Sequence, residues 1–169
     1  MSRDPASGRS GVAGVVVVGR SRAPLDFAAF CLLYRPRWAQ YARLRVGDPI
    51  RGERAVQSAV AELATNWPDI LRGPKPTAGA WRILGRAVTG SPGPVSNPLH
   101  DALPWPQADA VLLHYRLGLT LTATADLMGA EPPEVAAHLV SAERSLPTDV
   151  VKALGRGPAG EIGPGQYER

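Results

Sequence analysis

Apolar residues recur at helical intervals along most of this chain, and proline or glycine stands wherever the rhythm stops. Phe27, Phe30, Cys31 and Tyr34 share one helical face, with Asp26 placed to cap or charge-stabilise its start. Pro36 interrupts the pattern, which predicts a second helix from about Arg37 that buries Trp38, Tyr41 and Ala42. Gly47-Asp48-Pro49 is turn chemistry. Beyond it Val56, Val60, Leu63 and Trp67 fall at i, i+4, i+7 and i+11, predicting a third helix ended by Pro68. Gly73-Pro74-Lys75-Pro76 makes a loop. A fourth helix from about Thr77 to Val88 turns Trp81, Leu84 and Val88 inward and sets Arg82 and Arg86 together on another face.

The rhythm resumes between Leu103 and Leu146 as three shorter helices. Ala108, Val111, Leu112 and Tyr115 form the first face, closed by Gly118. Leu121, Ala125 and Met128 form the second, with Thr122 as the expected N-cap and Gly129 as the stop. Pro133 suits a first helical position, and Val135, Leu139, Ala142 and Leu146 keep the period until Pro147. A short helix, a glycine turn and a longer helix is the layout of a helix-turn-helix; the pattern alone fits any helical hairpin of a bundle equally well.

Composition sets the boundaries. The chain has 169 residues, of which 44% are apolar, enough for modest cores. Many of its 18 glycines and 17 prolines fall in the ends and one connection, which points to disorder there. The expected organisation is therefore an N-terminal tail over 1–24, helical domains over 25–89 and 101–149, a linker over 90–100 and a C-terminal tail over 150–169, an all-α protein of two small domains. The run Val15–Val18 inside the first tail is long enough for a short strand but has no partner run, and no small-residue cleavage site follows it. No apolar run approaches the roughly 20 residues of a membrane span. A single cysteine, Cys31, excludes a disulfide framework and fits a reducing, cytoplasmic compartment.

Two ordered sets of residues resemble the extracytoplasmic-function sigma factors of RNA polymerase. Phe27, Tyr34-Arg35-Pro36-Arg37, Tyr41-Ala42, Gly47-Asp48-Pro49, Val56-Gln57, Leu63, Trp67 and Ala80-Trp81 with Ile83 are similar to region two of that family. Leu103-Pro104, Gln107, Leu112, Tyr115, Gly118-Leu119, Ala125, Met128-Gly129, Val135, Leu139, Ala142, Arg144 and Leu146 are similar to region four. Together they cover about two thirds of the chain in the family's order. The resemblance implies a third helix that binds core polymerase, a fourth that handles melted promoter DNA, and a helix-turn-helix that reads the upstream promoter element. Carried onto this chain, the polymerase candidates are Arg54, Gln57, Ser58 and Glu62, the single-strand candidates Trp81, Arg82 and Arg86, and the helix-turn-helix candidates Thr122, Glu134, Ala137, His138, Ser141 and Arg144. The implied partners are core RNA polymerase, promoter DNA and an anti-sigma factor.

Charge changes that picture. Residues 20–90 hold twelve bases against five acids, a net of +7, whereas residues 101–149 hold seven acids and two bases, a net of −5. Non-specific DNA affinity comes from Lys and Arg displacing counterions, and here the recognition helix offers Ala136, His138, Ser141 and Glu143 where the family presents bases. Just after the Gly-Asp turn the chain runs Ile50-Arg51-Gly52-Glu53-Arg54, where the family places acids. Two readings follow: a sigma-type transcription regulator acting at promoters, and a degenerate sigma-like interaction protein that binds polymerase or a regulator without directing initiation. An enzyme is disfavoured, because His100, His114 and His138 are scattered and no metal-ligand spacing or phosphate loop occurs; no cofactor or small-molecule substrate is expected. Trp38, Trp67 and Trp81 read first as core, and Trp105, between two prolines, as a packing anchor.

Overall fold

A computed structural model describes residues 24–93 and 97–155. The described chain is all-helical, and no strand occurs among the described residues. The valine run and the expected disorder of residues 1–23 and 156–169 lie outside them. No helix in the described part is long and apolar enough to cross a membrane.

Three long helices come first: α1 (Leu25–Val46), α2 (Pro49–Arg72) and α3 (Pro76–Thr89). The two helices expected on either side of Pro36 are one, so the first unit has three helices rather than four. Proline inside a helix deletes one backbone hydrogen bond and costs about 3 kcal/mol. Pro36 faces solvent, so the freed carbonyl can be hydrated. Aromatic packing holds both flanks in line: the Phe30 ring lies 4.5 Å from Tyr34, 5.9 Å from Trp38 and 5.0 Å from Trp67, and Phe27 lies 5.3 Å from Trp67. Pro68 likewise does not end α2, which runs one more turn to Arg72. Asp26 serves both ends of this cluster, accepting from the Phe27 amide at 2.8 Å and from the Trp67 indole at 3.2 Å.

Turn chemistry behaves as the sequence implies. Gly47 closes α1 in the left-handed region, and Asp48 caps α2 by accepting from the Arg51 amide at 2.8 Å, with Pro49 at the first position. Ala55, Val56, Ala59, Leu63 and Trp67 of α2 then bury against α1 and α3.

The second set comprises α4 (Pro98–Ala102), α5 (Trp105–Val111) continued by a π turn over Leu112–Arg116, α6 (Leu121–Met128), α7 (Pro132–Ser145) and α8 (Thr148–Gly155). Residues 98–100, expected in the linker, begin α4; the Asn97 amide donates to the Leu44 carbonyl at 3.2 Å and fastens that start to α1. The N-cap of α6 is Thr120, whose Oγ1 accepts from the Ala123 amide at 3.1 Å, not Thr122. Pro132 rather than Pro133 takes the first position of α7. Residues 150–155, expected in the tail, belong to α8, because Val150 and Leu154 find apolar neighbours. The run Ala108–Leu113 is buried on every side, sandwiched between α7 and α1, and α6 packs on α3. One apolar core thus runs through both sets.

Candidate functional site

α6, the turn at Gly129–Glu131 and α7 make a helical hairpin where the sequence predicts a helix-turn-helix. Val135, Leu139 and Ala142 anchor α7 in the core. Its outward stripe is Pro133, Glu134, Ala137, Val140 and Arg144, all exposed. Three of the DNA candidates, Glu134, Ala137 and Arg144, therefore do share the open face, but they offer one acid, one methyl group and one base. His138 and Ser141 are half-buried on its flanks: Ser141 Oγ accepts from Gln107 at 3.2 Å, and His138 lies 3.8 Å from Glu134. Thr122 is exposed on α6. Glu143 faces Tyr115 and accepts its hydroxyl proton. Partial burial first, then the Glu143 hydrogen bond and charge, push that phenol up to about 12.

On α2, Arg54, Gln57 and Ser58 are exposed, and Glu62 lies on the same side, half-buried and paired with Arg86 of α3 at 2.6 Å. The period that buries Val56, Ala59 and Leu63 turns this stripe outward. The single-strand candidates separate. Trp81 is only 8% exposed with its ring 4.6 Å from Tyr41, so it belongs to the core; Arg82 and Arg86 stay at the surface.

Between α3 and the helix-turn-helix runs an open groove of about 860 Å³. Lys75, Arg82 and Arg86 stand along one wall, Glu134 and His138 along the other. The turn of the helix-turn-helix closes one end of it. Lys75 pairs with Glu131 at 2.5 Å, and Gly129 lies so near the first turn of α3 that a Cβ there would come within 2.1 Å of the Ala78 amide nitrogen. The candidate single-strand wall and the candidate duplex-reading helix thus face one another.

A buried polar junction, missed by the sequence reading, joins the two helix sets. Tyr41 of α1 donates to Asp109 Oδ1 at 2.6 Å, and His100 Nε2 meets the same oxygen at 2.7 Å. Arg45, 5% exposed, lies beside them with its guanidinium 5.7 Å from the Trp105 ring centroid. Burial above all, then the Asp109 charge and hydrogen bond, push the Tyr41 phenol well up, against the opposing pull of Arg45. The His100 side chain is 2% exposed and its Nδ1 has no hydrogen-bond partner. The pair ties α4 and α5 to α1, and Asp109 also lines the groove. One sequence signal could have exposed it, the charged Asp109 set within the apolar run Ala108–Leu113. Among the described residues no three His, Cys, Asp or Glu side chains gather to hold a metal ion.

Compared with known proteins, the chain matches no family model and no curated sequence.

Proposed function

We propose that the protein is a sigma-like transcription regulator that docks on core RNA polymerase through α2 and does not itself select promoters. The organisation proposed is two helical units, α1 to α3 and α4 to α8. One observation carries the choice between the two readings. The open face of α7 presents Glu134, Ala137, Val140 and a single base, Arg144, too little positive charge to hold duplex phosphates. The face Arg54, Gln57, Ser58 and Glu62 supports docking, because it is polar, continuous and outside the core. An anti-sigma factor or similar regulator is the further partner this reading admits.

The experiment pairs recovery of core polymerase on the immobilised protein with in vitro transcription from a promoter library. Recovery without transcripts supports the proposal, and Arg54→Glu with Gln57→Ala should lower that recovery. Promoter-dependent transcripts would return the protein to the initiating class. Absence of polymerase recovery would remove both readings.

A further inference from the structure

One face of α1 meets no other described element. Leu25, Ala29, Leu32 and Pro36 recur at i, i+4, i+7 and i+11 with Leu33 beside them, and Leu25, Leu32 and Leu33 are 87%, 81% and 66% exposed. Contiguous with this stripe is a shallow groove of about 460 Å³, on whose wall stands Cys31. Apolar side chains scattered singly need no partner, but a continuous stripe of them marks a covered surface.

We propose that the chain covers this face itself, with Val12 and the run Val15–Val18 packed along the stripe of α1. Three observations converge on that occupant. The stripe itself carries no charged residue, and the Arg35 and Glu53 that line the adjoining groove pair with each other at 2.8 Å, so it calls for an uncharged partner, and Val12–Gly19 is uncharged throughout. The reach is sufficient: the six residues from Gly19 to Pro24 span up to about 20 Å when extended. Leu25 and Leu32 are only about 10 Å apart along the helix. The attachment is also short, and a segment tethered this closely is present at an effective concentration of about a millimolar, above what a second copy reaches in a dilute solution.

Cys31 is the only cysteine in the chain and serves as a built-in reporter. The measurement is the rate at which a neutral maleimide modifies Cys31 in the full chain under native conditions, since thiol reactivity follows access. Two variants are compared with the parent: Val15→Ser, Val16→Ser, Val17→Ser and Val18→Ser together, and Leu25→Ser with Leu33→Ser. Each should speed modification several-fold while leaving the helical circular dichroism unchanged. Their combination should be no faster than the faster of the two, because both remove the same contact. A valine variant that reacts at the parental rate overturns the proposal. So does protection of Cys31 that grows with protein concentration and survives the valine changes, which would assign the face to a second copy. Should the valine variant lose helical signal, the stripe variant still decides, since an unchanged rate there shows that nothing covers α1.

Discussion

At Gly129 the two helix sets approach so closely that a substitution there should separate them. Gly129 has φ 66° and ψ 29°, and a Cβ would stand 2.1 Å from the Ala78 nitrogen and 2.4 Å from its Cα. The left-handed conformation costs an L-residue roughly 1–2 kcal/mol. The clash adds to it, because its target is backbone in the first turn of α3 and cannot swing aside. Relief requires sliding the turn off α3, which uncovers Met128, now 9% exposed. Re-exposing a side chain of that kind costs about 1.5–3 kcal/mol. The Lys75–Glu131 pair, 43% and 67% exposed, adds about 1 kcal/mol at most. Gly129→Ala should therefore cost roughly 3–5 kcal/mol.

Gly47→Ala is the control. Gly47 also has a positive φ, 73°, but a Cβ there meets nothing within 4 Å, so only the conformational cost of about 1–2 kcal/mol applies. Urea unfolding followed by circular dichroism and tryptophan fluorescence measures both. The difference between the two variants, about 2–3 kcal/mol, is the contribution of the close approach. Equal losses would mean that the helix-turn-helix does not rest on α3, and the face-to-face groove would go with it.

Asp109→Ala should destabilise by about 3–5 kcal/mol in the same assay, because it leaves Tyr41 and His100 buried without their common acceptor; a loss near zero would dissolve the junction. Stability should fall as pH rises above about 10, the ordinary tyrosine value. The folded state holds the Tyr41 and Tyr115 protons longer than the unfolded chain, so their contribution is complete below that pH and lost as pH climbs through the raised values. Tyr41→Phe should make this alkaline decline shallower, and an unchanged slope in urea midpoints between pH 8 and 11 would refute the assignment. Ala137→Lys with Val140→Lys should raise duplex affinity of the full chain about tenfold at low salt and steepen its salt slope by roughly two units, read by fluorescence anisotropy. No gain would show that α7 does not present this face to DNA.

Helix periodicity was legible because it reports one thing, burial of a face. Val135, Leu139 and Ala142, or Val56, Leu63 and Trp67, are apolar at 3.6-residue spacing and sit where that spacing puts them. Proline was the weak guide. Its local cost is fixed, but the aromatic packing that outweighs it at Pro36 comes from Trp67, 31 positions along the chain, and local pattern carries no trace of such a partner. The N-cap is Thr120 rather than Thr122, since two threonines two positions apart offer the same capping hydroxyl and local pattern does not rank them. The polar junction was hidden because its members lie on α1, α4 and α5, and none has a motif spacing to the others. Surface stripes were readable as faces, yet what faces them was not. Glu62 lies on the outward stripe of α2, and its pairing with Arg86 of α3 leaves no mark in the local pattern.

The same principle bears on the acidic charge of the second helix set. Its acids are largely committed within the protein. Glu131 holds Lys75, Asp126 accepts from Tyr34 at 3.3 Å, Asp109 accepts from Tyr41, and Glu143 accepts from Tyr115. Three of these four partners belong to the first helix set, which carries the excess of bases. An acidic unit beside a basic one gains long-range attraction as well as the local pairs, since exposed charges act across about 8–10 Å at physiological ionic strength. A recognition helix rich in lysine would lose that attraction and would repel Lys75, Arg82 and Arg86 across the groove. Strong phosphate binding by the second unit and a closed fit against the first are therefore opposed demands on the same few side chains. This sequence satisfies the closed fit.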